Sequence, residues 1–168
     1  METYTVRLAK EEFVFAAAHF ITYDGDTCEP IHGHNYGVEA ELDGPLDENR
    51  YVVDFIAARK ALRRLLDQLD HHVLLPLHHK LIRLDITDDE VTARFGDRRW
   101  VFPRAECALL PVVNTTAEEI AAWLGREWHT WLQEQGVAAT RVRVGIDECH
   151  GQWGVWEWRA PVSDGPSQ

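Results

Sequence analysis

The sequence predicts an α+β fold in which an antiparallel sheet carries two helices on one face. Segments with the two-residue alternation of half-buried strands stand towards both ends of the chain. Two segments with the apolar spacing of amphipathic helices lie between them. With 168 residues, 45% of them hydrophobic, the chain can bury one core, so we expect a single domain over residues 1–160.

The N-terminal half alternates strongly up to about residue 42 and then changes to helical spacing. Asp54 is a suitable N-cap for the helix, and Asp70-His71-His72 follows its end. The predicted elements are, in order, strands over 3–9 and 12–19, a loop over 20–31, a strand over 34–42 and a helix over 55–69.

The C-terminal half begins with a segment over 77–110 that looks inserted. In this segment Gly96-Asp97 predicts a type II′ hairpin turn between two extended runs. Thr116, with Glu119 three residues later, is a capping box that opens the second helix. The remaining predicted elements are the end of that helix at Gly136, strands over 141–148 and 153–158, and a disordered tail over 161–168.

Composition narrows the classes of partner and location. A net charge of −11 argues against nucleic acid or an anionic membrane as partner, and no stretch approaches the length of a membrane span. The N-terminus lacks a signal-peptide pattern, and three cysteines without a disulfide framework favour the cytoplasm. Seven tryptophans hint at an oligomer interface.

The most informative stretch is Cys28-Glu29-Pro30-Ile31-His32-Gly33-His34. His32 and His34 share a strand face, and His19 lies at the end of the apolar face of an upstream strand. If those strands are neighbours, three imidazoles converge, and three protein ligands with one open position are typical of catalytic zinc. The alternative is that each histidine is an ordinary core residue.

Several motifs together resemble the 6-pyruvoyltetrahydropterin synthase / 6-carboxytetrahydropterin synthase family, from about residue 13 to 158 with an interruption at 77–110. The motifs are His19, Cys28-x-x-x-His32-Gly33-His34-Asn35-Tyr36, Val53-Asp54-Phe55, Leu69-Asp70-His71-His72, Asn114-Thr115-Thr116-Ala117-Glu118 and Glu148. The resemblance implies the tunnelling fold (T-fold), in which each subunit contributes a four-stranded antiparallel sheet and two helices. It also implies that three subunits close a barrel, that two trimers stack into a hexamer, and that sites lie between subunits.

The resemblance also implies zinc on His19, His32 and His34, and 7,8-dihydroneopterin triphosphate as substrate. Cys28 would be the general base, because a thiol near a cation has a lowered pKa. His71, held by Asp70, would relay protons, although the same residues could simply end a helix.

Two further residues are expected at the substrate. Glu148 resembles the carboxylate that anchors the pterin ring, since it continues an apolar strand face and a buried carboxylate needs a partner. Thr116 is primarily a helix cap and is a second candidate pterin contact.

The sequence departs from the family pattern in two places. Glu29 directly follows Cys28, which is similar to relatives that cleave the substrate side chain to 6-hydroxymethyl-7,8-dihydropterin for folate; the alternative is an exposed loop glutamate. The inserted hairpin over 77–110 carries arginines that form either a phosphate patch or a solvated face, and these are Arg94, Arg98, Arg99 and Arg104.

The sequence therefore favours a 6-carboxy-5,6,7,8-tetrahydropterin synthase of the queuosine (deazapurine) precursor route. The other enzyme hypotheses are the pyruvoyl product and the folate-route cleavage that uses Glu29. A pterin-binding T-fold protein without turnover is the non-enzyme alternative.

Overall fold

The computed structural model describes residues 2–161, so the predicted tail lies, apart from Pro161, outside the described residues. The strands are β1 (Tyr4–Leu8), β2 (Val14–His19), β3 (Thr22–Tyr23), β4 (Thr27–Cys28), β5 (His32–Gly44), β6 (His72–Pro76), β7 (Arg83–Ile86), β8 (Glu90–Phe95), β9 (Arg98–Pro103), β10 (Cys107–Leu110), β11 (Arg141–Asp147) and β12 (Trp153–Arg159). The helices are α1 (Phe55–Leu66) and α2 (Ala117–Glu134). The predicted strands and helices occur in the predicted order, but the structure adds β3 and β4 within the predicted loop over 20–31, and also β6 and β10.

The main sheet has seven strands and is larger than the predicted sheet of four. Its order is β10-β6-β2-β5-β11-β12, with β1 also paired to β5. β2, β5, β11 and β12 form a continuous antiparallel set, whereas β6 and β10 add two parallel strands at one side. Three strands make the difference: β1 pairs with β5, the segment after His71 forms β6 beside β2, and Cys107–Leu110 belongs to this sheet and not to an insert.

Two capped helices bury their apolar stripes in the main core with the sheet. The carboxylate of Asp54 accepts hydrogen bonds from the amides of Ile56 and Ala57 at 2.7 and 3.2 Å, as its predicted N-cap role requires. α1 ends at Leu66 and not at Leu69, because the Leu69 amide bonds to the Leu66 carbonyl in a tighter turn that still buries the Leu69 side chain. Within residues 2–161 neither helix combines the length and the apolar run that a bilayer crossing requires.

The second sheet consists of β7, β8 and β9, so the inserted segment is a three-stranded antiparallel sheet and not a single hairpin. Gly96 has a φ of +54° in the two-residue turn that joins Phe95 to Arg98, as a type II′ turn requires at its first central position. The second sheet builds a separate hydrophobic cluster with Phe20, against which Cys28 packs. It therefore lies against the loop that leads to the predicted site.

Candidate metal centre and active site

The three predicted metal ligands converge at one end of the main sheet. β2 and β5 are neighbours, and their register places His19 opposite His32. Ligand nitrogens of His19, His32 and His34 lie within 4.8 Å of one another. We call this group the histidine triad. His19 is 1% exposed, so it is anchored in the core, while the other two rings lie towards the surface.

Hydrogen bonds orient two of the three rings. His19 Nδ1–H donates to the Thr115 carbonyl at 2.7 Å, and His32 Nδ1–H donates to the Pro30 carbonyl at 3.0 Å. A carbonyl can only accept, so each of these rings carries its free lone pair on Nε2. A metal-binding histidine is commonly held in this way by a bond to its second nitrogen.

The free nitrogens match what a metal ion needs. His19 Nε2 and His34 Nε2 are buried without a hydrogen-bond partner among the described residues, which is costly unless another group satisfies them. Burial lowers the pKa of His19 more than the Thr115 carbonyl and the Glu148 carboxylate raise it. The ring is therefore held neutral, which is the protonation state that binds a metal.

Glu148 lies beside the triad. Its Oε1 is 3.5 Å from His19 Nε2 and 4.0 Å from His34 Nε2. The hydroxyl of Tyr36, next on the same face of β5, is buried, and burial together with the Glu148 carboxylate raises the pKa of that hydroxyl. Tyr36 was not among the predicted site residues, although the alternation that places His32 and His34 on one face also places Tyr36 there.

Cys28 and Glu29 stand at the edge of this group. The Cys28 thiol is half-buried and donates to the Glu29 carbonyl at 3.5 Å. Burial raises the pKa of the thiol, the nearby Arg98 guanidinium lowers it, and the Glu29 carboxylate raises it, with a net rise. The protein groups alone therefore do not give the lowered pKa that was predicted. Glu29 Oε2 lies 3.4 Å from His32 Nδ1, so this carboxylate is not a freely exposed loop group.

Among the predicted residues, Arg98 has the environment that differs most from the prediction. Its Nη1 donates to the Cys28 carbonyl at 2.6 Å and its Nη2 to the Glu29 carbonyl at 3.0 Å. The guanidinium lies over the ring of Trp100, 4.6 Å from the ring centroid. For Arg98, neither a phosphate patch nor a solvated face describes this environment. No sequence pattern connects the two segments, which are 70 residues apart.

Asp70 and His71 form the predicted pair, which lies in the turn between α1 and β6. His71 Nδ1 is 3.1 Å from Asp70 Oδ1, which also accepts the amide of Ala16 at 2.8 Å. The Ala16 amide is the main cause that lowers the pKa of Asp70. His71 has a φ of +60° and its side chain is 83% exposed, so it projects from a strained turn and not from a helix end.

His71 lines a cavity of about 450 Å³ with Ala16, Gly33, Asn35 and the triad member His34. Gly33 and Asn35 alternate with His32 and His34, so they lie on the other face of β5. Within residues 2–161, no hydrogen bond or ion pair joins His71 to Cys28 or to the triad. Within the described residues, one copy of the chain thus provides no hydrogen bond between the predicted relay and the predicted base.

Thr116 caps α2 by accepting the Glu119 amide at 3.4 Å, as predicted. The preceding residue, Thr115, has the closer relation to the site. It is fully buried, its carbonyl accepts from His19, and its hydroxyl donates to the Phe20 carbonyl at 3.3 Å. The backbone at the start of α2 therefore orients His19, the first of the predicted metal ligands.

Comparison with known proteins agrees with this geometry. The family profile described as 6-pyruvoyl tetrahydropterin synthase matches residues 8–157. The chain belongs to this family. A protein of Methanocaldococcus jannaschii, provisionally named 6-carboxy-5,6,7,8-tetrahydropterin synthase, is 31% identical over 140 residues, which cover 82% of this chain and 85% of the relative. A Pyrococcus abyssi protein with the same provisional name is 30% identical over 135 residues, or 80% of this chain and 79% of the relative.

Solved structures of this family share the fold. The crystal structure of 6-pyruvoyl tetrahydropterin synthase from Plasmodium vivax superposes with a TM-score of 0.85 at 24% identity, over 95% of this chain and all of that one (100%). The Plasmodium falciparum protein of the same name gives a TM-score of 0.83 at 24% identity, over 94% and 99% of the two chains. At this level of identity the likeness concerns the fold.

Proposed function

We propose that this chain is a zinc-dependent synthase that converts 7,8-dihydroneopterin triphosphate to 6-carboxy-5,6,7,8-tetrahydropterin, a precursor in queuosine-type synthesis. The observation that carries the proposal is the histidine triad, in which two buried Nε2 atoms without protein partners face the carboxylate of Glu148. Membership in the tetrahydropterin synthase family and the names of the archaeal relatives support the substrate class.

Each of the site residues has its own role in the proposed reaction. Zinc on the Nε2 atoms of the triad would act as a Lewis acid towards oxygens of the substrate side chain. In this proposal Cys28 removes a proton from that side chain as general base. The Glu148 carboxylate, which lies against the triad, contacts the substrate beside the metal, and Thr116 contacts it from the start of α2.

The separation of His71 from Cys28 favours a shared site. We propose a homotrimer or a hexamer of two stacked trimers, in which His71 of one copy relays protons to Cys28 of its neighbour. The exposed His71 side chain and the open edges of the main sheet at β10 and β12 support this assembly. The cytoplasmic location stays a prediction from the cysteine content.

A specific observation favours a second activity, cleavage to 6-hydroxymethyl-7,8-dihydropterin. The Glu29 carboxylate lies 3.4 Å from a triad ring and is positioned to act as a base. A carboxylate that removes a side-chain hydroxyl proton promotes retro-aldol cleavage of the adjacent carbon–carbon bond. One of the solved P. vivax structures is a variant in which a catalytic glutamate is replaced by alanine, so a glutamate is catalytic in that protein.

The test is anaerobic incubation of zinc-loaded protein with 7,8-dihydroneopterin triphosphate, followed by mass identification of the products. Acetaldehyde with a carboxylated tetrahydropterin, abolished by Cys28→Ala with zinc retained, would support the main proposal. A 6-pyruvoyl product would keep the zinc and thiol roles but change the product. 6-Hydroxymethyl-7,8-dihydropterin that disappears in Glu29→Ala would instead support the second activity. Full zinc occupancy without any product would contradict both and would favour a pterin-binding protein without turnover.

A further inference from the structure

The guanidinium of Arg98 binds two carbonyls of consecutive residues, Cys28 and Glu29, at 2.6 and 3.0 Å. In an extended strand, successive carbonyls point to opposite sides. One guanidinium can therefore reach both only when the chain turns between them, so Arg98 stabilises one particular turn. That turn sets the directions in which the thiol and the carboxylate leave the backbone.

The guanidinium is itself held in place. It lies over the ring of Trp100, and Trp100 stacks on Phe20 with ring centroids 4.5 Å apart and an interplanar angle of 18°. Phe20 is fully buried and directly follows the metal ligand His19. The second sheet thus contacts both ends of the Cys28 loop, which we define as residues 20–31.

A third contact holds the same loop near its start, at Thr22. His79 Nδ1 accepts the amides of Leu81 and Ile82 at 2.9 and 2.8 Å, so its Nε2 carries the proton and donates to the Thr22 hydroxyl at 2.8 Å. The loop contains only two short paired segments of its own, β3 and β4, each of two residues. Its conformation therefore depends on side chains from outside the loop, which belong to the segment that precedes and includes the second sheet and to Asn114 and Thr115 before α2.

An ordinary surface arginine would not have these contacts. Among the described residues, the partners of the Arg98 guanidinium are two backbone carbonyls and an aromatic face, and not a carboxylate. Arg99, the next residue of β9, is exposed and points to the other face of the strand. The contrast between adjacent arginines indicates a specific role for the first.

We propose that Arg98 is a positioning residue that determines whether the Cys28 thiol or the Glu29 carboxylate is presented to the substrate. The arrangement of the two side chains supports this. The thiol points back to the Glu29 carbonyl, which is one of the two oxygens that Arg98 binds, while the Glu29 carboxylate reaches His32. Without the guanidinium the turn is no longer held, so the Cys28 thiol and the Glu29 carboxylate both change direction. The catalytic part of this inference rests on the proposed function above.

The experiment compares Arg98→Ala with Arg99→Ala and Arg98→Lys in the zinc-loaded protein. Two quantities are measured, namely hydrogen–deuterium exchange of peptides within residues 20–31 and steady-state turnover of 7,8-dihydroneopterin triphosphate with both products quantified. Lysine keeps the charge over Trp100, but a single ammonium does not provide the planar fork that holds both carbonyls. Arg98→Lys therefore also serves as the test protein if the alanine variant does not fold.

We expect faster exchange in the Cys28 loop of Arg98→Ala and a kcat about tenfold to a hundredfold lower, because small misplacements of a reacting group have effects of that size. KM should change little, since Arg98 holds backbone and not substrate. The proportion of the minor product should rise. Arg98→Lys should be intermediate, and Arg99→Ala should behave as wild type in both measurements.

Three results would overturn the inference. Unchanged exchange in the Cys28 loop would show that Arg98 does not hold it. A raised KM with unchanged kcat would show that Arg98 binds the substrate directly, for example at its phosphates. Faster exchange with an unchanged product ratio and kcat would show that the turn does not position the base. A wild-type protein without turnover would instead contradict the proposed function, and the exchange data would then decide whether Arg98 holds the loop.

Discussion

The histidine triad and the Cys28–Glu29 pair lie next to each other, but different parts of the chain hold them. The triad stands on β2 and β5, whose paired backbones set the ring positions, and a carbonyl at the start of α2 orients His19. The pair stands on a loop that Arg98, Trp100 and His79 hold from the side of the second sheet, while Asn114 and Thr115 bind its first residues. Substitutions in the second sheet can therefore change the proposed base, and with it product specificity, while the paired strands keep the proposed metal site constant.

The largest effect should follow from removing a strand-held ligand. His32→Ala should lose zinc and lower turnover by about a thousandfold or more, because the metal-assisted stabilisation of developing charge is lost. The ring of His32 is only partly buried, so the fold should persist. Zinc content by atomic absorption and kcat/KM for the dihydropterin substrate are the measurements.

His78→Ala is the matched control for that experiment, since His78 is exposed and lies outside the triad. It should keep both zinc and activity. If His32→Ala retained stoichiometric zinc, the metal site would have to be built from other residues.

The second prediction tests whether the start of α2 supports the histidine triad. A Cβ added at Gly154 of β12 would lie 2.5 Å from backbone atoms of Ala117 and Glu118 in the first turn of α2. Gly154→Ala should therefore displace the N-terminus of α2, and with it the Thr115 carbonyl that orients His19. We expect a free energy of unfolding lower by about 2–3 kcal/mol, as for other overpacked sites, and a weaker zinc affinity. Urea unfolding and a zinc titration with a chelator would measure the two effects.

Gly37→Ala is the control substitution on β5, which β11 separates from β12 in the main sheet. Its added Cβ would meet only the Asp147 Cβ at 3.6 Å, an ordinary contact. The stability should change by less than about 1 kcal/mol, because alanine also lowers the entropy of the unfolded chain. Equal destabilisation by both substitutions would contradict a specific link between β12, α2 and the triad.

The strand-held half of the site was predictable from the sequence because its geometry follows from local periodicity. The i, i+2 spacing of His32 and His34 gave their common face, and the alternation from Phe13 to His19 gave the third ring. The structure places these rings as expected. The helices were predicted within a few residues, apart from the tightened turn that ends α1 early at Leu66.

The loop-held half was not predictable, because its contacts join segments far apart in sequence. Arg98 binds carbonyls 69 and 70 residues away, and backbone carbonyls leave no trace in side-chain patterns. The parallel pairing of β6 with β2 was missed for a similar reason. A turn over residues 67–71 separates α1 from His72, and the left-handed conformation of His71 redirects the chain into the sheet. Non-glycine residues in that conformation are uncommon, so the sequence gives no signal for it.

A third prediction concerns the loop-held half. Trp100→Ala should remove the ring that stacks on Phe20 and underlies Arg98. Since Trp100 is only half-buried, we expect a loss of about 2 kcal/mol, less than for a fully buried tryptophan. Zinc content should be unchanged while the product ratio shifts, as measured by metal analysis and mass spectrometry. Trp100→Phe should recover most of the stability, and loss of zinc in Trp100→Ala would show that the two halves are not independent.

The smallest effect should be a pH dependence that comes from His79. Burial lowers the pKa of His79, and its Nδ1 accepts two backbone amides, so a proton there would face two donors. The folded protein thus binds this proton less readily than the unfolded chain, and unfolding takes up a proton. The stabilisation is complete above the ordinary histidine pKa of about 6.5 and decreases as the pH falls through and below that value.

His79→Gln should lack this component of the pH dependence. Between pH 7.5 and 5.5, the zinc-free wild type should lose more of its free energy of unfolding than the variant, as measured by urea titration at each pH. The exposed neighbour provides the control, since His78→Gln should keep the wild-type slope. His19, whose pKa burial also lowers, contributes equally in all three proteins and cancels in the comparison. Identical slopes in wild type and His79→Gln would contradict the link between a neutral His79 imidazole and stability, and the Cys28 loop would then depend on its contacts with Arg98, Trp100, Asn114 and Thr115.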